Sequence, residues 1–376
     1  MPRKRHLPVE IDAFMRRHWQ REPLLVRGAF PRFRDPLSPK EVLALAGRDE
    51  AQSRLVVRRG RRWTVEHGPI PAARFKQLPR REWTVLVQDT NHFSRRADEL
   101  LGRFDFIPHA RIDDVMVSYA VPGGSVGPHV DSYDVFLLQG HGRRRWSISA
   151  QRDHEFVPGL PLKVLSRFVP EREWVLEAGD MLYLPPGIAH HGVAESECLT
   201  WSIGFRAPTD AEIVAGFLDH LRDALEPAGQ YRDPGAPPAR HPGELPAPMI
   251  EHAARALAAI RWTGPQVRDF VGRFATEPKA HVFFDPPARP LGRADFVKAA
   301  RRRGLTLDPR SRLVFSGTIF FINGAPAALP PAARPVARRL ADRRRLPGPL
   351  DAPAAFWEAA HAWYRQGFVV LEGETT

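Results

Sequence analysis

The sequence predicts an α+β chain in three parts, and three observations carry that prediction. Up to Pro208, apolar segments of strand length alternate with Gly- and Pro-rich turns. From Thr209 the apolar residues recur at helical spacing instead. Beyond residue 277 short helical and strand-like stretches mix. The expected boundaries are therefore 1–208 for a β-rich barrel, 209–276 for a helical region and 277–376 for a C-terminal module. A chain of 376 residues exceeds one ordinary core, so more than one domain is expected.

Within the first part, Val9 to Trp19 has helical spacing, Pro23 ends it, and Leu24-Leu25-Val26 reads as a buried strand. Ser38-Pro39-Lys40-Glu41 predicts a helix start, with Ser38 as N-cap, Pro39 at N1 and Glu41 completing a capping box. Arg54–Arg59 and Arg62–Val65 form a predicted hairpin around Gly60, and Trp83–Gln88 is a further strand. Asp113 to Val121 alternates as a strand, which places Ser118 and Tyr119 on opposite sides.

Thr209-Asp210-Ala211-Glu212 is a second capping box, followed by Ile213, Val214, Phe217, Leu218, Leu221 and Leu225 at helical spacing. The Pro-rich stretch from Pro227 to Pro248 reads as an extended connection, and Met249 to Phe274 as helix again. Two apolar helix stripes with little chain between them need a cover, either the barrel or a second copy of the chain. In the last part, Ala294–Arg303 is a helix closed by Gly304. Arg312–Phe315 and Thr318–Ile322 pair around Ser316-Gly317, and Asn323-Gly324 marks the next turn. Helices at Pro331–Leu340 and Pro353–Tyr364 and a strand at Phe368–Leu371 complete a winged-helix-like pattern. Modules of that pattern bind nucleic acid through one helix, and Arg301-Arg302-Arg303 and Arg343-Arg344-Arg345 are the phosphate candidates.

Composition narrows the classes. A hydrophobic fraction of 43% is that of a folded protein, and no window is long and apolar enough to predict a membrane helix. The basic Met1–His6 start has no apolar run behind it, so no signal peptide is expected and the cytoplasm is the default location. The single cysteine, Cys198, excludes an intramolecular disulfide and a cysteine zinc cluster. A net charge of +12 favours encounter with nucleic acid or a ribonucleoprotein without specifying either.

The chemistry is concentrated in Gly123-Gly124-Ser125-Val126-Gly127-Pro128-His129-Val130-Asp131. At strand spacing, His129 and Asp131 share one face, an imidazole beside a carboxylate. Downstream, Gly179-Asp180-Met181-Leu182-Tyr183-Leu184-Pro185-Pro186-Gly187-Ile188-Ala189-His190 fits G-x5-P-x-G-x2-H, the second signature of the cupin double-stranded β-helix. His129, Asp131 and His190 then make a 2-His-1-carboxylate set, the facial triad of non-haem Fe(II) oxygenases. His191 is the rival for the third place, and His141 and His109 are weaker ones. After the Gly140-His141-Gly142 turn, Arg143 and Arg145 share one strand face and Arg144 takes the other. An inward guanidinium calls for an anion, and the distal carboxylate of 2-oxoglutarate fits a bidentate grip.

PGGSVGPHVDSYDVFLLQGHGRRRW, GDMLYLPPGIAHHG and the Trp201–Pro208 segment together resemble the JmjC-type ribosomal oxygenases, and in particular their bacterial arginine-hydroxylating branch. The likeness extends to the His18-Trp19-Gln20-Arg21-Glu22-Pro23-Leu24 start and the Asp233–Pro242 segment. It implies Fe(II) bound by His129, Asp131 and His190, with Arg144 and Ser118 contacting 2-oxoglutarate. It also implies a homodimer formed by the helical region, a C-terminal winged helix, and an arginine of a large-subunit ribosomal protein as substrate. At His191 the family often carries an acidic residue, so a second imidazole is expected at the cavity mouth. Asp113, Asp114 and Asp134 are the candidate partners for a substrate guanidinium, with Tyr133 as a stacking surface. Three other readings stand beside this one: a ribosomal histidine hydroxylase, a histone-type demethylase, and a non-catalytic winged-helix nucleic-acid binder.

Overall fold

The computed structural model describes residues 9–60, 62–226 and 228–374; the basic Met1–His6 start lies outside them. The first part carries strands β1 (Leu24–Val26), β2 (Ser53–Arg59), β3 (Arg62–His67), β4 (Trp83–Val87), β5 (Ile112–Ala120) and β6 (His129–Val130). It continues with β7 (Asp134–Gln139), β8 (Arg144–Ser149), β9 (Arg172–Leu176), β10 (Met181–Leu184), β11 (Ala189–Ala194) and β12 (Cys198–Phe205). Helices α1 (Ile11–Arg17), α2 (Pro39–Leu45), α3 (Ala72–Phe75), α4 (Thr90–Phe93) and α5 (Arg95–Leu101) lie between them. The expected capping box at Ser38 is present, with Ser38 and Glu41 bonded to each other's backbone.

These strands form an eight-stranded antiparallel sheet, in the order β1-β10-β7-β12-β5-β4-β2-β3, and a four-stranded sheet, β6-β11-β8-β9. The sheets pack face to face: Val135, Leu137, Leu182 and Leu184 of the first meet Trp146, Ile148 and Leu176 of the second. This is the double-stranded β-helix that the motifs predict. Strand β7 is buried along its whole length because both of its faces are covered. Val135 and Leu137 face the second sheet, while Phe136 and Leu138 turn outward into the main core beneath α1, α2 and α5. Phe136 is fully buried, with Phe104, Tyr183, Phe14 and Phe205 rings at centroid distances of 4.7, 4.9, 5.7 and 5.7 Å.

The helical region is α6 (Asp210–Ala224), α7 (Ala247–Ala258) and α8 (Gly264–Thr276). The single helix expected over Met249–Phe274 is two, because Thr263 caps a fresh start with Gln266 and Pro265 follows inside its first turn. The C-terminal module follows as α9 (Arg293–Arg303), β13 (Gly304–Leu307), β14 (Leu313–Ser316), β15 (Ile319–Ile322), β16 (Ala325–Ala327), α10 (Arg334–Arg343), β17 (Arg345–Pro347), α11 (Ala354–Arg365) and β18 (Val369–Leu371). It has its own core around Phe296, Leu340, Phe356 and Trp363. Helix α8 packs on β14, β15 and β16, so close that a Cβ on its Gly272 would lie 2.3 Å from the Phe321 ring. Helix α8 is thus joined by packing to the C-terminal module as well as by sequence to the helical region.

Truncating Phe136 to alanine is expected to destabilise the barrel by about 3–5 kcal/mol, since it empties the centre of an aromatic cluster. Urea unfolding followed by tryptophan fluorescence measures this as a lowered midpoint.

Candidate active site

His129 and His190 lie 61 residues apart in sequence but directly opposite one another in the β6–β11 pairing. Facing residues of an antiparallel pair bring their Cβ atoms to about 5 Å, and these two rings sit at a centroid distance of 4.2 Å. Asp131 follows just past the two-residue strand β6. Its carboxylate lies 3.9 Å from His129 Nε2 and 3.5 Å from His190 Nε2. One ligand atom from each of the three falls within 4.8 Å of the others. Gly127, at φ +81°, makes the turn that delivers His129.

The surroundings prepare these groups for a cation. His129 Nδ1 donates to Gly127 O at 3.0 Å, and His190 Nδ1 donates to Ile188 O at 2.9 Å. A carbonyl can only accept, so each Nδ1 carries a proton and Nε2 is the nitrogen left to face the cavity and bind a cation. Burial, then the neighbouring His129, brings the His190 pKa down to about 4, which keeps that ring neutral at pH 7. Two imidazole Nε2 atoms and a carboxylate with free space beside them are the donors of a facial-triad Fe(II) site. Gly192, two residues after His190, has no room for a Cβ: it would stand 2.7 Å from the Trp146 indole that packs beside His190.

The triad lines a cavity of about 360 Å³ between the two sheets. Arg144 enters it from β8, on the face that Trp146 and Ile148 share, and is 6% exposed. Its Nη1 donates to Ser118 Oγ at 3.3 Å, while Nε and Nη2 are buried and meet no acceptor. A guanidinium withdrawn from water with two donors unmet is strongly unfavourable until an anion arrives, and a carboxylate satisfies both donors at once. Arg143 and Arg145 are exposed on the opposite face, Arg145 held by Glu173 at 2.7 Å and by Glu195.

Along β5, Met116 and Ser118 line the cavity and Val115 and Val117 go to the core, while Asp114 lies just beyond that lining, next to Tyr133, where the β5–β12 register shifts. Asp114 is 7% exposed, and burial raises its pKa to about 7. Gly204 of β12 leaves room beside it: a Cβ there would be 3.4 Å from Asp114 Oδ1 and 3.6 Å from the Tyr133 ring. Tyr133 lines the cavity, its hydroxyl pushed up by burial and then by Asp131 and Asp114. The loop between β8 and β9 brings Pro161, Leu162 and Lys163 to the same cavity, and Leu165 N anchors that loop by donating to Pro128 O at 2.8 Å.

Two sequence expectations need correction. Asp134 does not reach the cavity; with Phe136 it faces outward, where Tyr183 Oη donates to it at 2.6 Å, Gln20 Nε2 at 3.0 Å and Arg111 at 2.9 Å. His191 is not at the cavity mouth either. Next to the inward His190 it must point out, and it lies in the row of Ser147 and Glu173 with its ring against Phe168. His141 and His109 stay away from the triad: His109 bonds Asp105 at 3.2 Å and Ala341 O at 3.1 Å. Met116, Trp146, Lys163 and Gly204 were not anticipated. The alternation of β5 through Ser118 could have pointed to Met116; Lys163, on a long irregular loop, left no pattern.

The class that this barrel and triad define is matched directly. A family model for the JmjC domain matches residues 99–213, and one for the ROXA-like winged helix matches residues 259–369. The ribosomal protein uL16 3-hydroxylase of Escherichia coli K12 is 34% identical over 302 residues, covering 80% of each chain. A probable ribosomal oxygenase of Haemophilus influenzae is 39% identical over 217 residues, 56% of this chain and 52% of that one. Among solved structures, E. coli YcfD superposes with a TM-score of 0.85 at 31% identity, over 97% of this chain and 99% of that one. YcfD in complex with cobalt and 2-oxoglutarate gives a TM-score of 0.83, also at 31% identity, over 98% and 99% of the two chains. The chain belongs to the JmjC ribosomal oxygenases.

Replacing Arg144 by methionine is expected to raise the Kd for 2-oxoglutarate by about 100-fold, the loss of a charged, bidentate partner. Ser118→Ala, which removes one neutral contact, is expected to change it only about 3- to 10-fold. Isothermal titration with 2-oxoglutarate in the presence of a divalent metal separates the two.

Proposed function

We propose that this protein hydroxylates an arginine side chain of a large-subunit ribosomal protein, using Fe(II), 2-oxoglutarate and O2. The observation that carries the reading is the half-satisfied Arg144 guanidinium in the same cavity as the His129–Asp131–His190 triad. His129, Asp131 and His190 would hold the iron. Iron in such a site supplies the oxygen chemistry, in which 2-oxoglutarate goes to succinate and CO2 and one oxygen atom enters a substrate C–H bond. Arg144 would orient the co-substrate by its distal carboxylate, with Ser118 as a second contact, and the enclosing sheets keep water from that pocket. The name of the similar E. coli enzyme, ribosomal protein uL16 3-hydroxylase, supports carbon 3, the β-carbon, as the position modified.

Charge arranges the cavity for that substrate. Arg144 meets Ser118 in the cavity wall, Met116 follows along β5, and Asp114 stands just beyond the lining beside Tyr133. A substrate guanidinium fits the Asp114 end, beside the Tyr133 ring and in the space that Gly204 leaves. A neutral imidazole or a methylated amine would use that carboxylate less fully, so an arginine target is favoured over the histidine and demethylase readings. For the nucleic-acid reading, Arg303, Arg344 and Arg345 are engaged within the chain, whereas Arg301, Arg302 and Arg343 are exposed. Arg303 pairs with Glu374 at 3.1 Å, Arg345 with Glu372, and Arg344 donates to Ser311 O at 2.9 Å and Pro309 O at 3.1 Å. The exposed faces of α9 and α10 still carry Lys298, Arg301, Arg302, Arg338, Arg339 and Arg343, so a phosphate contact there is compatible with the fold. The hydroxylase reading does not require nucleic acid as a partner.

We also infer a homodimer. Ile213, Val214 and Leu218 of α6 and Met249, Ile250 and Leu257 of α7 are exposed, and α7 has no buried residue. The barrel leaves these helix faces uncovered, and a second copy brings a matching apolar face. No helix among the described residues is long and apolar enough to cross a membrane. A ribosomal substrate supports a cytoplasmic location.

Incubation with an arginine peptide of the ribosomal protein, Fe(II) and 2-oxoglutarate should add one oxygen atom to the arginine, seen by mass spectrometry, with succinate formed in step. His129→Ala should abolish both. Succinate without a modified peptide would discard the arginine substrate while keeping the oxygenase. In sedimentation velocity the native protein should run as a dimer and Ile250→Asp as a monomer; a native monomer would discard the helical interface.

A further inference from the structure

Asp114, the acid assigned above to the substrate guanidinium, belongs to a buried charge cluster that reaches into the C-terminal module. Its Oδ2 accepts the backbone N–H of Asp89 at 3.1 Å. Asp89 is 2% exposed and sits in the left-handed region at φ +51°, a conformation that aspartate tolerates and most residues avoid. That backbone conformation turns its N–H toward Asp114 while its own carboxylate points away to a lysine. Lys279 Nζ lies 2.8 Å from Asp89 Oδ1 and 3.2 Å from Asp113 Oδ1. His281 Nε2 is 3.1 Å from Asp89 Oδ2, and its Nδ1 meets Gln52 Nε2 at 3.0 Å. Arg312, at the start of the β14–β15 hairpin, donates to Asp113 O at 2.8 Å.

Lys279, His281 and Arg312 all fall within the stretch matched by the ROXA-like winged helix, whereas Asp113 and Asp114 fall within the JmjC match and Asp89 follows strand β4 of the same sheet. Three acids packed this closely cannot all stay ionised without a cation among them. Lys279 is the residue that places an ammonium there. Burial opposes its charge, but Asp114, Asp89 and Asp113 outweigh that and raise its pKa.

We propose that Lys279 is a positioning residue for substrate: supplied by the C-terminal module, it holds Asp89, Asp113 and Asp114 in the charged arrangement that receives a guanidinium. The inference rests on the arginine reading of the pocket. It makes the winged helix a structural part of the substrate site, instead of an appended binding module. The groups around Asp114 are consistent in sign. Burial is the main influence raising its pKa to about 7, Lys279 lowers it, and Asp89 and Asp113 raise it, while Tyr133 and Gly204 on the cavity side bring no charge at neutral pH. His92, His281 and Arg312 face Asp89 and Asp113 from behind. Protonated Asp114 no longer pairs with a guanidinium, so turnover of an arginine peptide should fall as pH drops through its pKa. Without Lys279 that fall should begin at higher pH.

The test is the pH profile of kcat/KM for the arginine peptide, measured on the full-length iron-loaded protein for native, Lys279→Gln, Lys279→Arg and Asp114→Asn. Lys279→Gln should move the acid limb up by about one pH unit, and Lys279→Arg, which keeps the charge, should leave it in place. The KM for 2-oxoglutarate, set at the Arg144 end, should not follow the shift. An acid limb in folded Lys279→Gln that coincides with the native one would overturn the proposal. If Lys279→Gln does not fold, Lys279→Gln/Asp113→Asn removes one cation with one buried anion. Lys279 is the larger influence on Asp114, so the limb should still move up, and an unmoved limb overturns the proposal equally. Asp114→Asn should lower kcat/KM about 100-fold and abolish the limb. If it does neither, the arginine reading of the pocket fails, whatever Lys279 does.

Discussion

The two-residue period of a β-strand is the constraint on which this structure depends. Strands β5, β7 and β12 each have to serve two environments at once, an apolar core on one face and a polar cavity on the other. Val115, Val117, Phe136, Leu138, Trp201 and Ile203 supply the core, and their neighbours Asp114, Met116, Ser118, Leu137 and Ser202 look into or beside the cavity. A slip of one residue would exchange the two sets. It would bury Asp114 and Ser118 among aromatic rings and present phenylalanine and valine to the metal. The register is therefore under strong selection by burial alone, before any chemistry is considered. The apolar face stabilises the sheet and so offsets the unfavourable desolvation of the cavity face.

Within that frame the cavity is polarised. The cavity holds a guanidinium with two buried donors unmet and a triad of two imidazoles and a carboxylate, and a buried acid stands just beyond its lining beside Tyr133. Each of these groups is poorly solvated in the free protein and well matched to a ligand of opposite or complementary character. Burial has different consequences for the different residue types. It keeps the imidazole of His190 neutral and able to ligate a cation, and it shifts the Asp114 carboxyl toward the neutral form. Arginine cannot respond by losing its proton, so Arg144 keeps its charge and awaits an anion.

The local parts of this arrangement could be read from the sequence, because strand alternation and Gly-rich turns act over a few residues. His129 with Asp131, the turn leading to His190, and the opposite faces of Arg144 and Arg145 are all of that kind. The capping boxes at Ser38 and Thr209 are as well, and each is present in the structure. The errors arose where facing, not residue type, decides the role. Asp134 and His191 have suitable side chains for the cavity but occupy strand positions that turn away from it. The same alternation that placed Arg144 would have excluded His191 once His190 was fixed as inward. The pairing of His129 with His190 followed from two motifs whose family meaning bridges the sequence gap. No such motif connects Lys279 to Asp89, 190 residues apart. A lone lysine after a helix carries no local signature of its partner.

That long-range pairing bears on why a catalytic barrel carries a winged helix at all. A module retained for nucleic-acid recognition would keep its cations free on one face. Lys298, Arg301, Arg302, Arg338, Arg339 and Arg343 are exposed here, but Arg303, Arg310, Arg344 and Lys279 are turned onto carboxylates and carbonyls within the chain. Arg344 in particular reaches from the C-terminal module to Asp98 of α5 at 3.4 Å, a second tie to the barrel beside the Lys279 cluster. Contacts of this sort are weak evidence of stability, since buried ion pairs roughly balance attraction against desolvation, but they define relative placement well. The barrel strand that carries Asp114 therefore has its outer end set by residues from another domain. A cupin barrel that needs only iron and a keto acid has no use for such a brace. One that must also fix an arginine side chain against those groups does, because misplacement by about 1 Å is enough to lose most of the advantage of pre-positioning.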